Sequence, residues 1–244
     1  MDIRTNGETA SNRLLNFMSA EDRQLLTPHL KHVELMLRQT LEKANQPIEH
    51  VYFLEDGIAS VVGDSKTFGQ IEIGIIGKEG VTGLYMILGG DQSPYETFMQ
   101  VAGGGLRIKT DKLRSAMDKS RTLHQLLLRY VQGFMIQTSQ TAVANAAAVL
   151  TQRLARWLLM CEDRLNAKPM PLTHQFLAMM LGVQRSGVTI ALGELEDRQL
   201  IRSKRGQITI LDRPTLEKLT NGTYGLAEAE YKRRIEAGPN QTAV

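Results

Sequence analysis

The sequence predicts an α+β chain in three parts: an N-terminal antiparallel β-roll, one long helix, and a C-terminal domain of short helices closed by a basic β-hairpin. Three observations predict it. Short β-branched and aromatic segments crowd the stretch from Lys31 to Lys109, and no proline interrupts residues 123–145. Beyond residue 150, apolar residues recur at helical spacing until LIRSKRGQITIL returns to a strand pattern.

At 244 residues, with 42% hydrophobic and 23% charged content, the chain has the composition of an ordinary globular protein long enough for two modest domains. No run of 18 apolar residues suggests a membrane span, and the polar start MDIRTNGETASNRLL argues against a secretory signal. Cys161 is the single cysteine, which excludes a disulfide framework and a multi-cysteine metal or iron–sulfur site. The cytoplasm is the expected compartment, with no membrane partner and no cofactor. Residues 1–143 carry 15 Lys/Arg against 16 Asp/Glu, whereas residues 144–222 carry 11 against 7. The positive excess of the C-terminal part suggests a polyanion partner there.

Taken in order, Ser19 with Asp22 three residues on reads as the cap of a short helix over Ala20–His29. The β segments follow as HVELML, IEHVYFL, IASVVG, QIEIGIIG and TFMQVAG. Glu55-Asp56-Gly57, Gly63-Asp64 and Gly103-Gly104-Gly105 are expected to be the turns between them. The expected units are 1–117 for the β-roll with its leading helix, 118–145 for the long helix, 146–222 for the C-terminal domain and 223–244 for a tail. In the long helix Leu123, Leu127, Tyr130 and Phe134 fall close to heptad steps. That spacing serves a helix packed on the β domain or a dimer helix. Leu126, Met135 and Ile136 add apolar surface on other sides and favour the dimer, with the first four residues as its contact.

Leu150, Leu154, Trp157, Leu158 and Cys161 form one apolar helical stripe, on which Cys161 reads as a buried core thiol. Pro169 and Pro171 end that segment, and Thr173 is an N-cap for HQFLAMML, which stops at Gly182. Ala178 four residues before Gly182, with Leu177, Leu181, Val183 and Val188 around them, is the pattern of two helices crossing steeply at a tight turn. In a helix starting near Gln184, the residues Val188, Ala191, Leu192 and Leu195 share the inner face. Ser186, Thr189, Ile190 and Gly193 lie opposite, with Arg185 at the N-terminal edge. An outer face this small and polar suits a helix lying deep in a DNA major groove. The hairpin that follows carries Arg202, Lys204 and Arg205 near its tip, where they would meet a phosphate backbone. Two helices and a basic hairpin make a winged helix-turn-helix.

The order of parts resembles the Crp/Fnr (cyclic-AMP receptor protein / fumarate-nitrate regulator) superfamily of bacterial transcription regulators, over roughly residues 15–220. The family motif T-x-Q-x-x-A-x-x-x-G is matched by Thr173, Gln175, Ala178 and Gly182. The resemblance implies a cyclic-nucleotide-binding-like β-roll and a homodimer that reads an inverted repeat in double-stranded DNA, with RNA polymerase as a further partner. It places Gln184, Arg185, Ser186, Thr189 and Ile190 in the groove, with Thr173 and His174 beside the backbone. Arg185 is the choice for reading guanine. Where family members often have an acidic residue this chain has Ser186, and where they often have a basic one it has Ile190.

The effector end departs further. Cyclic-nucleotide binders carry G-E-L and then an Arg-Ser/Thr pair, which clamp ribose and phosphate. Here GLYMILGGDQSPYETF has Gly83 but Leu84 in place of the glutamate, then Tyr85, with Pro94 and Tyr95 where the pair would stand. A buried phosphate needs a compensating cation and donors, so cyclic AMP is not the expected ligand. These five residues remain the candidate pocket for some other small molecule. His29, His32, His50, His124 and His174 show no pairing suited to haem. No Ser/His/Asp set, metal-spaced cluster or P-loop is visible, so an enzyme is not expected. The alternative is a small-molecule-binding module with a vestigial DNA-binding domain, in which Arg185 and the wing would be dispensable.

Overall fold

The computed structural model describes residues 11–67, 69–165 and 168–237. The first ten residues, part of the segment read as no secretory signal, lie outside them, as do residues 238–244 of the expected tail. The chain opens with α1 (Arg13–Asn16) and α2 (Ala20–Leu26), the latter continued by a 3-10 turn over Thr27–His29. Ser19 caps α2 as expected, its Oγ accepting from the Asp22 amide at 3.0 Å.

A five-stranded sheet follows: β1 (Lys31–Leu35), β2 (Thr40–Glu42), β3 (His50–Ser65), β4 (Gly69–Ile76) and, after the one-turn helix α3 (Leu84–Ile87), β5 (Glu96–Lys109). All pairings are antiparallel. β5 is the hub, pairing with β1, β2 and β3, while β4 pairs with β3. The expected turns at Glu55-Asp56-Gly57 and Gly63-Asp64 lie inside the 16-residue β3, and Gly103-Gly104-Gly105 lies inside the 14-residue β5. The glycines serve close approach instead of chain reversal. A Cβ on Gly103 would stand 2.3 Å from the Asp56 carbonyl oxygen, and one on Gly105 2.5 Å from that of Phe53. The register shifts between Leu54 and Ile58, and Gly57, at φ 81°, takes up the irregularity.

Next come α4 (Thr110–Lys119) and the 27-residue α5 (Arg121–Ala147), then α6 (Leu150–Arg164). Leu123, Leu127, Tyr130 and Phe134 do not face outward for a second copy. All four are buried in the protomer, in one core with Val51, Phe53, Ile76 and Val81 of the β-roll. Their spacing is that of a helix seated on a sheet. The surface left open on α5 is the other side, where Met135 is 58% and Val143 49% exposed and Leu128 and Ile136 are half-buried. Leu128 and Met135 are seven residues apart, as are Ile136 and Val143, so an apolar seam runs along that side at heptad spacing.

The C-terminal part contains α7 (His174–Leu181), α8 (Arg185–Asp197), the hairpin β6 (Ile201–Lys204) and β7 (Gln207–Ile210), and α9 (Arg213–Leu219). Its core is continuous with the outer face of the sheet. Ile58, Val62, Ile75, Phe98 and Val101 of the β-roll pack with Trp157, Leu158 and Met180 of the helical part. Cys161 is fully buried there, and burial holds its thiol well above the ordinary range. The tail, α10 (Leu226–Tyr231) and a π-helical turn over Lys232–Glu236, folds back along α5 and buries Ile235 in the β-roll core. No single described helix is long and apolar enough to cross a membrane.

Candidate nucleic-acid interface

The interface is built outward from the α7–α8 corner. Thr173 caps α7, its Oγ1 accepting from the Phe176 amide at 3.3 Å. Gly182 ends the helix at φ 62°, and the Val183 amide then reaches back to the Ala178 carbonyl at 3.0 Å. A Cβ at Gly182 would meet only ordinary contact with Ile71, so the left-handed backbone is what demands glycine there. The two helices meet at 107°, within the usual helix-turn-helix range. Leu177, Ala178, Leu181, Val188, Ala191, Leu192 and Leu195 all turn inward and are buried.

The outward face is open. Gln184 is the N-cap of α8 but makes no side-chain cap bond, which leaves its amide group unengaged. Arg185, Ser186, Thr189 and Ile190 are exposed, Ile190 by 65%. Thr189 donates to the Arg185 carbonyl at 3.1 Å, so at the 3.1 Å contact between Thr189 Oγ1 and His174 Nδ1 the ring nitrogen is the donor. His174 thus stands at the seam of α7 and α8. A Cβ added to Gly193 on this face would meet open space, so packing within the protomer does not require a glycine there.

The wing and the α7–α8 corner are held in place by three contacts that the sequence pattern does not display. Glu196 near the end of α8 accepts from the Ser203 amide of β6 at 2.6 Å. The segment before α7 bridges to β7, with Met170 and Ile208 exchanging amide–carbonyl bonds of 2.8 and 2.9 Å. Arg153 of α6 donates to the Leu181 carbonyl at the C-terminal end of α7. At the tip, Arg205 at φ 50° and Gly206 at φ 77° form the two-residue turn of a type I′ hairpin. A non-glycine residue in that left-handed conformation costs about 1 kcal/mol, and the chain keeps an arginine there. Arg202, Lys204 and Arg205 are exposed. Among the described residues, these three and Arg185 make no ion pair, whereas Arg213 in the same domain binds Glu162, Asp163 and Glu217. Four unpaired cations on a fixed helix and hairpin form a surface for a polyanion.

Residues 152–219 match the family model described as the Crp-like helix-turn-helix domain. The global nitrogen regulator of Nostoc sp. strain PCC 7120 is 24% identical over 190 residues, covering 74% of this chain and 85% of the relative. Among solved structures, FixK2 from Bradyrhizobium japonicum superposes with a TM-score of 0.68 at 17% identity, covering 78% of this chain and 96% of that one. A transcriptional regulator of the crp/fnr family from Eubacterium rectale gives 0.67 at 18% identity, covering 88% and 100%. The C-terminal part of this chain is a Crp-like helix-turn-helix domain. The chain as a whole carries the expected α+β architecture of sheet, long helix and winged helix-turn-helix.

The candidate effector end is occupied by the chain's own side chains. Gly83, at φ 75°, caps α3 and donates its amide at 2.6 Å to Glu42 of β2, a buried carboxyl absent from the sequence expectation. Burial pushes the Glu42 carboxyl up, against hydrogen bonds from Gly83, Thr82 and Thr97 that pull it down. Leu84 is buried, Tyr85 and Tyr95 stand with ring centroids 6.3 Å apart, and Pro94 is exposed. The structure therefore brings four of the five pocket residues near one turn and leaves Pro94 outside. A cavity of about 370 Å³ lies elsewhere, between α5, α6 and the tail, lined by Tyr130, Gln137, Arg164, Tyr224 and Tyr231 among others.

Proposed function

We propose that the chain acts as a homodimer that reads an inverted repeat in double-stranded DNA, without cyclic AMP. The observation that carries this is the set of unpaired cations, Arg185, Arg202, Lys204 and Arg205, around a small exposed helix face. In this reading Gln184, Arg185, Ser186, Thr189 and Ile190 enter the major groove, where Ile190 meets a thymine methyl. Thr173, His174, Arg202, Lys204 and Arg205 track the phosphates. The copies join along the open side of α5 through Leu128, Met135, Ile136 and Val143, which sets two recognition helices about 34 Å apart. RNA polymerase is the partner expected of a regulator so placed. Retention of arginine at a strained hairpin position counts against a vestigial DNA-binding domain.

Two features support independence from cyclic AMP. Leu84 and Pro94-Tyr95 stand in place of the clamp, and the Glu42 carboxyl already holds the Gly83 amide. A buried phosphate beside that carboxyl would lack its cation and face an acidic oxygen. Titrating cyclic AMP into the protein is expected to give no saturable heat and to leave the DNA-binding curve unchanged. Saturable binding that shifts the curve would overturn this part of the reading.

A further inference from the structure

A buried polar cluster joins the β-roll to the DNA-binding domain. Glu72 of β4, which is 7% exposed, accepts from the indole Nε1–H of Trp157 in α6 at 2.6 Å through one oxygen. Its other oxygen lies 2.8 Å from Ser60 Oγ of β3. Ser60 also contacts Gln100 Oε1 of β5, and stands 3.6 Å from Met180 Sδ of α7. Around this cluster the sheet packs directly on α6 and α7, with Ile58, Val62 and Ile75 in one core with Leu158 and Leu181. Glu72 is the acidic group at the joint, and its bond to Trp157 crosses from one domain to the other.

The hydrogen inventory of the cluster couples it to a proton. Ser60 has one hydroxyl hydrogen and faces two oxygen acceptors, Glu72 Oε2 and Gln100 Oε1, while Gln100 Nε2 has no partner. If Glu72 carries a proton, it donates to Ser60, and Ser60 donates to Gln100. If Glu72 is ionised, Gln100 must turn its amide so that nitrogen faces Ser60, and Ser60 donates to the carboxylate. Each protonation state thus has its own direction of hydrogen bonds through Ser60, which is satisfied in both.

We propose that Glu72 is a proton-coupled positioning residue, which holds Trp157, and with it α6 and the helix-turn-helix, in one placement on the β-roll when neutral and loosens that placement when ionised. Burial pushes the Glu72 carboxyl up to about 7, opposed by the bonds from Trp157 and Ser60 and by the nearby Arg156 and Arg164. The groups around it are specific. α6 presents Arg156, Arg164 and the thiol of Cys161, β3 and β5 present Ser60 and Gln100, and α7 presents Met180. On the α5 side Gln137 bonds to the Ile75 backbone. The folded carboxyl binds its proton more tightly than an exposed one, so its contribution to docking is full below the ordinary carboxylate range. That contribution is lost as pH rises through about 7.

Trp157 is the only tryptophan in the chain, so its indole N–H gives a single resonance that reports on this bond. Between about pH 5.5 and about pH 8.5 that resonance is expected to shift with a midpoint near neutrality in the wild-type full-length protein. Glu72→Gln keeps an acceptor for Trp157 and a donor for Ser60 but cannot titrate. In this variant the resonance is expected to stay near its low-pH position, and the pH inflection in DNA affinity expected of the wild type should be lost. A wild-type resonance that does not move, or an inflection that persists in Glu72→Gln, would overturn the proposal. The DNA readout rests on the regulator reading above, and the resonance does not. Failure of DNA binding alone, at every pH, would therefore strike that reading and leave the resonance test standing.

Discussion

Replacing Met135 and Val143 together by glutamate is expected to convert the proposed dimer to a monomer while leaving the protomer folded. Both side chains lie on the open side of α5, so the new carboxylates are solvated in the monomer and buried against like charge in a dimer. Like-charge juxtaposition at an interface costs several kcal/mol, and about 2.7 kcal/mol already raises a dissociation constant about a hundredfold. Phe134→Ala is the control on the opposite side. It removes a ring buried against the β-roll, where truncation of an aromatic costs about 3–5 kcal/mol of folding stability. Sedimentation velocity and thermal melting separate the two. The double variant should sediment as a monomer with a protomer that still melts cooperatively, and Phe134→Ala should melt earlier without a change of assembly below its transition. The reverse pattern would return the dimer contact to Leu123, Leu127, Tyr130 and Phe134.

Arg185→Ala is expected to weaken binding to the specific site by about 1–3 kcal/mol and to relax preference at one base position of each half-site. Arg185 sits in the first turn of α8, exposed and without an ion pair among the described residues, so its removal leaves the fold untouched. Lys204→Ala should act differently. A phosphate contact carries no base information, so affinity should fall about equally on all sequences and the salt dependence should become shallower. Binding isotherms on a specific and a scrambled duplex at several salt concentrations distinguish them. Identical behaviour of the two variants would mean that helix and wing do not divide the work as proposed.

What could be read in advance follows the range of the signals. The α7–α8 corner was legible because its determinants are local. Thr173 caps, Gly182 takes φ 62°, and the inward aliphatics recur within 20 residues. The hairpin was legible for the same reason. In the β-roll, glycine was misread as chain reversal. Gly103 and Gly105 are instead fixed by backbone from Asp56 and Phe53, about fifty residues earlier, and no local pattern distinguishes a turn from such a crossing. The long helix was ambiguous for a related reason. It is apolar on two sides, and only the shape of the β-roll decides that Tyr130 and Phe134 go inward while Met135 stays out. Glu42, Glu72 and Glu196 gave no signal at all. Each is an ordinary acidic residue in sequence, and acquires its role from an amide, indole or hydroxyl brought to it by tertiary packing.

The most direct test of the central claim is selection of binding sites from random duplex DNA with the purified chain, at moderate salt and with no ligand added. The expected result is an enriched inverted repeat with half-sites about one helical turn apart, the spacing of two recognition helices related by a twofold axis. Enrichment of a single undivided site, or recovery of sequences no different from the starting pool, would contradict the account.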